Sequence, residues 1–301
     1  MIAAVLFLLA MQVAGAQPDP SADPLRLVAQ GRRAVQQGNH ADALKLYEQA
    51  LEAQPDLVEG HLGAGIVLDL MGDYERAREH LTKAIELAPP ELKPTALQAM
   101  AVSYVFENQT ADAARFFQQV FDLHNGSGNL SGAAAAANAL GRVYLEAGRT
   151  DEARRWYETG HEVASRQPDE PASQLPLWQF RWIHAQGRIA AREKKAHEAR
   201  GHVAAARTLV ESTPSLKDEG PTLAYLAGYV AFHLGDYQEA RVELAKADQS
   251  DPFILMLEAQ TAERLRDRAA ARQFWTKVLA SNGHSIQNAI ARPRAKKAVG
   301  K

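Results

Sequence analysis

The chain has 301 residues, 46% of them hydrophobic and 23% charged, with 34 Lys and Arg against 36 Asp and Glu and no cysteine. Such a composition can bury a large core and excludes wholesale disorder, while its near-neutral balance speaks against a dedicated nucleic-acid binder, whose phosphate contacts need a basic excess. The missing cysteines exclude a disulfide framework, thiolate metal sites, haem attachment through CxxCH and thiol nucleophiles.

The first element is an uncharged apolar run, IAAVLFLLAM over residues 2–11, ending near Ala14-Gly15-Ala16. Small residues at Ala14 and Ala16 fit the pattern cut by a signal peptidase, and prolines at 18, 20 and 24 keep the adjoining stretch extended. Residues 1–16 are therefore expected to be a signal peptide and 17–23 a linker, with the protein exported to the periplasm or secreted. At roughly fifteen residues the run falls short of the ~20 that span a bilayer. No stable membrane span is expected after cleavage; an uncleaved N-terminal anchor is the alternative.

From Leu27 onward a repeat governs the chain. Gly31, Gly38, Ala43, Tyr47, Ala50 and Pro55 recur thirty-four residues later as Gly65, Gly72, Ala77, Leu81, Ala84 and Pro89. With looser spacing the eighth position of each unit is Gly31, Gly65, Ala101, Gly141, Gly187, Gly228 and Ala259, always small. The twentieth is always alanine: Ala43, Ala77, Ala113, Ala153, Ala199, Ala240 and Ala271. The twenty-fourth is large or branched: Tyr47, Leu81, Phe117, Tyr157, Val203, Leu244 and Trp275. Small then large at fixed offsets is what two closely crossing helices require, because a bulky group must fill the space beside the crossing.

Between the two helical patterns lie Gly38-Asn39, Gly72-Asp73, Gly148-Arg149 and Gly235-Asp236, as a left-handed helix end favours, with Asn108, Lys194 and Arg266 in the other three units. Pro55, Pro89 and Pro252 are expected to close the second helices.

The period and these positions resemble the tetratricopeptide repeat over about residues 24–280. The resemblance implies an all-α, right-handed superhelical solenoid of about seven helix pairs, each pair an A and a B helix. Repeats one to three are expected over 24–124, a flexible break over 125–133, repeats four to seven over 134–281, and a frayed basic tail over 282–301. A second interruption, residues 167–176, separates the fourth unit from the fifth.

Catalytic and metal chemistry find no support. His197 and His202 stand at i and i+5, about 140° apart on a helix, so they do not make the HExxH zinc face. Gly63-Ala64-Gly65 follows no strand, and no GxSxG, P-loop or kinase-like set occurs. No catalytic residue, cofactor or metal is assigned.

A helix-pair solenoid presents its A helices on a concave wall. There the fifth unit places Arg181, His184, Arg188 and Arg192 on one helical stripe, at i, i+3, i+7 and i+11. From the resemblance, Tyr225, Tyr229 and His233 of the sixth unit and Asn138 and Arg142 of the fourth face the same groove. Guanidinium forks beside aromatic faces suit an acidic or C-terminal peptide segment. The first units offer Leu25, Val28, Val35, Leu62, Ile66 and Leu70 instead, for a hydrophobic segment or the N-terminal linker. The expected function is a non-catalytic scaffold or adaptor of the cell envelope or secreted compartment, binding other proteins or peptides and no nucleic acid. The alternative is an accessory or regulatory subunit of an envelope enzyme or of a secretion or assembly machine.

Overall fold

A computed structural model describes residues 23–166 and 175–300. The expected signal peptide, almost all of the linker and most of the 167–176 interruption lie outside the described residues. Within them the regular elements are helices, and seven consecutive pairs form an all-α repeat fold. The pairs are α1 (Pro24–Gln36) with α2 (His40–Ala53), α3 (Val58–Met71) with α4 (Tyr74–Leu87), and α5 (Lys93–Phe106) with α6 (Thr110–Gly126). Next come α7 (Leu130–Glu146) with α8 (Thr150–Ser165) and α9 (Leu175–Arg192) with α10 (Ala196–Ser212). A 3-10 turn over Pro214–Glu219 leads to α11 (Gly220–Leu234) with α12 (Tyr237–Leu244), then α13 (Pro252–Arg264) with α14 (Arg268–Leu279), and a last helix α15 (Ile286–Val299). No described helix is long and apolar enough to cross a membrane.

The small-to-large joint is visible atom by atom. A Cβ on Gly141 would stand 2.9 Å from the Tyr157 ring, and one on Gly228 would stand 2.6 Å from Leu244 Cγ. Real Cβ atoms do not approach so closely, so only glycine lets those backbones meet. All seven alanines at the twentieth position are buried. In the fifth unit the partner across the joint is His202, not Val203, which is only half-buried.

The helix ends follow local chemistry. Gly38, Gly72, Gly148 and Gly235 take positive φ in the turns between paired helices. Asn108, Lys194 and Arg266 adopt the same left-handed conformation, with φ of 58°, 62° and 63°. Their units keep the turn geometry without the residue that reaches it most cheaply. Pro252 does not close a B helix. It opens α13, where Asp251 caps the helix by accepting from Phe253 N–H at 2.7 Å.

Two expected boundaries differ. Residues 125–133 are not a loose break: α6 runs to Gly126, Gly128 takes φ 75°, and Asn129 caps α7 by accepting from Gly132 N–H at 2.9 Å. Nor do the described residues of 282–301 form a frayed tail. The α15 helix begins at a capping Ser285 and buries Asn288, Ala289, Ile290, Ala291, Arg292 and Ala295. Charge pattern hid this, because Arg292 is buried although Arg294, Lys296 and Lys297 are exposed.

Two of those basic side chains meet carbonyl-rich helix ends elsewhere in the chain. Arg292 donates to Leu70 O at 3.0 Å and to Leu279 O at 2.8 Å, and Lys296 donates to Met71 O at 3.1 Å. Arg294 instead donates to Ile290 O of its own helix. Cations satisfy the unpaired carbonyls and negative dipole end of a helix. Thus α15 packs on α13 and α14 and also on α5, reaching across to the apolar half of the groove expected from the first units. Of the apolar residues expected there, Val28 and Leu70 are buried and Leu25 is exposed.

Candidate functional site

A cavity of about 510 Å³ opens between α7, α9 and α11, with Ile286 and Gln287 of α15 completing its wall. Five of the nine residues expected in the groove line it: Asn138, Arg142, Arg181, His184 and Arg188. The A helices bring them together because the concave positions of α7 and α9 lie side by side.

The mouth and the floor differ. At the mouth Arg181 is exposed and rests its guanidinium 4.7 Å above the Trp178 ring. Asn138, His161 and Trp182 stand next to it, the latter two stacked at 5.0 Å. On the floor Arg188 is 6% exposed and donates through Nη2 to the Tyr157 hydroxyl at 2.9 Å. Its Nε and Nη1 have no protein partner, nor do Nε and Nη2 of Arg142, whose guanidinium lies 4.6 Å over Phe253. The rings of His184 and Tyr225 pack at a tilt of 43° with centroids 5.2 Å apart, each residue buried, with His184 Nε2 and the Tyr225 hydroxyl also unpartnered. Burial holds the His184 imidazole well below its ordinary range, reinforced by Arg188 and Arg142, so it is neutral.

The expected open stripe therefore does not exist as such. Arg192 is not a groove cation, because it pairs with Glu146 at 3.3 Å. Tyr229 is fully buried and donates to the same carboxylate at 3.0 Å, and burial raises its hydroxyl pKa well above the ordinary value. His233 packs 4.3 Å from the Tyr229 ring, and burial, with Arg192 and Lys194 nearby, pulls its imidazole down to about 3. These three, with Glu146, form a structural hub behind the cavity. Tyr225 belongs beneath the floor. Helical spacing groups residues by face; the depth at which each side chain ends is set by the neighbouring helices.

The sequence pattern gave no sign of Tyr157, Glu219 and Gln287 on the cavity wall. Nor did it reveal a buried set that binds the C-terminal segment to the second and third units. Ser103 donates to Asp69 Oδ1 at 2.8 Å, and His284 Nε2 lies 2.8 Å from Asp69 Oδ2. An acid inside the apolar run of α3 was the available signal. Serine, aspartate and histidine meet here without the order that nucleophilic catalysis needs. The hydroxyl donates to the carboxylate, so the imidazole has no proton to take from it.

Models of the tetratricopeptide repeat match residues 28–91, 92–166 and 184–253. No curated protein matches the sequence. Among solved structures, the chain is similar to a tetratricopeptide repeat protein from Parabacteroides merdae, with 13% identity and a TM-score of 0.55, covering 92% of this chain and 98% of that one. It is also similar to aspartyl phosphate phosphatase F from Bacillus subtilis, with 12% identity and a TM-score of 0.60, over 88% and 71% of the two chains. The apo form of RapI gives 12% identity and a TM-score of 0.58 over 91% and 99%. At these identities the likeness is one of fold.

Proposed function

The chain belongs to the tetratricopeptide repeat family, and on that premise we propose that it is a non-catalytic scaffold of the cell envelope or secreted compartment, holding acidic or C-terminal segments of other proteins. Tetratricopeptide repeat proteins generally mediate protein–protein interaction. Export is supported by the apolar run ending at Ala14-Gly15-Ala16.

The observation that carries the reading is the mouth of the α7–α9–α11 cavity. Arg181 is exposed, with its guanidinium 4.7 Å over the Trp178 ring and next to Asn138. A guanidinium fixed by stacking has lost part of its freedom before a ligand arrives, which lowers the cost of gripping a carboxylate. The neighbouring indoles offer rigid faces for an extended chain.

The test is crosslinking capture with the tagged, exported protein, comparing wild type with Arg181→Glu and Asn138→Ala. Both sites are at the surface, so the fold should survive. Selective loss of the same partners from both variants is expected; an unchanged partner set would overturn the assignment of the mouth. One dominant stoichiometric enzyme among the lost partners would make the protein an accessory subunit.

A further inference from the structure

Resting on the reading of this cavity as the binding site, we infer that its floor, behind the mouth, is a site for a small doubly charged oxyanion, a dicarboxylate or a phosphate-type molecule. Three arginines line the cavity, Arg142, Arg181 and Arg188, against the single carboxylate of Glu219, which leaves two positive charges uncompensated. Among the described residues neither Arg142 nor Arg188 has a carboxylate within ion-pair distance. The nearby Glu146 is already held by Arg192 and Tyr229, and Asp251 caps α13.

The free donors are arranged as well as numerous. Arg142 leaves Nε and Nη2 open, the side of a guanidinium that pairs with two oxygens at once. Arg188 leaves Nε and Nη1. Both guanidiniums lie on aromatic rings, at 4.6 Å over Phe253 and 5.3 Å over Tyr157, so their planes are fixed while these edges stay unused. A buried donor without a partner costs free energy, and a buried cation without a counter-charge costs more. A dianion would relieve both together, with His184, which also lines the cavity, beside it. A monoanion would leave one guanidinium uncompensated.

The occupant is small because the groove does not continue. Ile286 and Gln287 wall the cavity, and beyond them α15 lies against α5 with Arg292 and Lys296 on the end of α3. An extended chain can reach the mouth but finds no channel past the floor. The volume, about 510 Å³, is that of a small-molecule pocket. Since α15 supplies part of the wall, a bound ligand also steadies that helix.

Purified full-length protein is titrated with succinate, inorganic phosphate and acetate at constant ionic strength near neutral pH, read by calorimetry and thermal melting. Succinate or phosphate is expected to raise the melting temperature by about 3 °C or more at saturation, with acetate inert and amide exchange slowed over 286–291. Arg142→Gln should weaken the dianion at least tenfold. Arg188 also supports Tyr157, so Lys45→Gln, at an exposed position of α2 outside the cavity, serves as the folded control and should retain dianion binding. Equal responses to acetate and the dianions, or an undiminished response in Arg142→Gln, would overturn the site. An acidic-ended peptide that displaces the dianion and binds more than tenfold tighter would overturn the small-molecule assignment while supporting the scaffold reading. Partner capture that persists without any anion response would leave the scaffold intact and remove only the present inference.

Discussion

Single residues decide whether each repeat closes at low cost. Asn108, Lys194 and Arg266 hold left-handed turns that glycine fills in four other units. Arg266→Gly is expected to stabilise the protein by about 0.5–1 kcal/mol, since a side chain in that conformation costs about 1–2 kcal/mol and glycine regains some chain entropy on unfolding. Urea melts of the variant check it. At the helix crossings the opposite limit applies. Ala153 and Ala240 are wholly buried, and Ala153→Leu should cost about 1–3 kcal/mol by overpacking; an unchanged denaturation midpoint would mean that the joint is looser than it looks.

Buried histidines set a pH dependence at the same scale. His184 and His233 have folded-state pKa values below the unfolded value, in both cases chiefly through burial, and His40 and His80 are lowered too. For such groups the unfolded chain binds more protons below about pH 6.5, so stability is complete above that value and falls as the pH drops. Glu258 opposes the trend, because burial raises its carboxyl to about 7 and stability from it is lost as the pH rises from about 4.5 through that value. Four histidines against one carboxyl leave the acid side weaker. The melting temperature should fall between pH 7 and 5. His233→Gln should flatten that slope, its group alone being worth up to about 1.4 kcal/mol per pH unit.

Among elements, α15 has the most consequence. Ordinary repeat helices touch their neighbours in sequence, whereas this one carries hydrogen bonds to residues more than 200 positions away. Its approach is fixed by Asp69, fully buried and accepting from Ser103 while facing His284. Asp69→Ala should cost about 2–4 kcal/mol, because it leaves a hydroxyl and an imidazole buried without their acceptor. Ser103→Ala should cost about 1 kcal/mol, since the carboxylate keeps its other partner. Chemical denaturation of both variants separates the two.

Over the whole molecule, a linear array and a closed one should unfold differently. Stacked repeats have only nearest-neighbour interfaces and can lose their ends independently. Here the contacts of α15 with α3 and α5 join the last helices to the second and third units. Removing residues 282–301 should therefore broaden the denaturant transition and lower the apparent m-value, with the first units exchanging amide protons earlier. An unchanged, single sharp transition would show that the pairs cohere without this closure.

Periodicity determined the repeat, the turn positions and every joint but the fifth, where His202 stands in place of Val203. Each depends on offsets of a few tens of residues, and on whether a side chain is small, large or absent, which sequence records directly. The concave face was legible for the same reason: Arg181, His184 and Arg188 share a helical stripe and do line one cavity. Depth was not legible. Whether an arginine ends in water, over a ring or against a buried carboxylate depends on the neighbouring helices, and so Arg192, Tyr229 and His233 proved to belong to the Glu146 hub. The tail was misread for a related cause. Five basic residues without an acid look solvated in one dimension, and only the tertiary structure brings the carbonyl end of α3 within reach of two of them, Arg292 and Lys296. Local sterics are written in the order of residues; the partners of a charge are chosen by the tertiary structure, because electrostatic and desolvation energies depend on what surrounds a group in space.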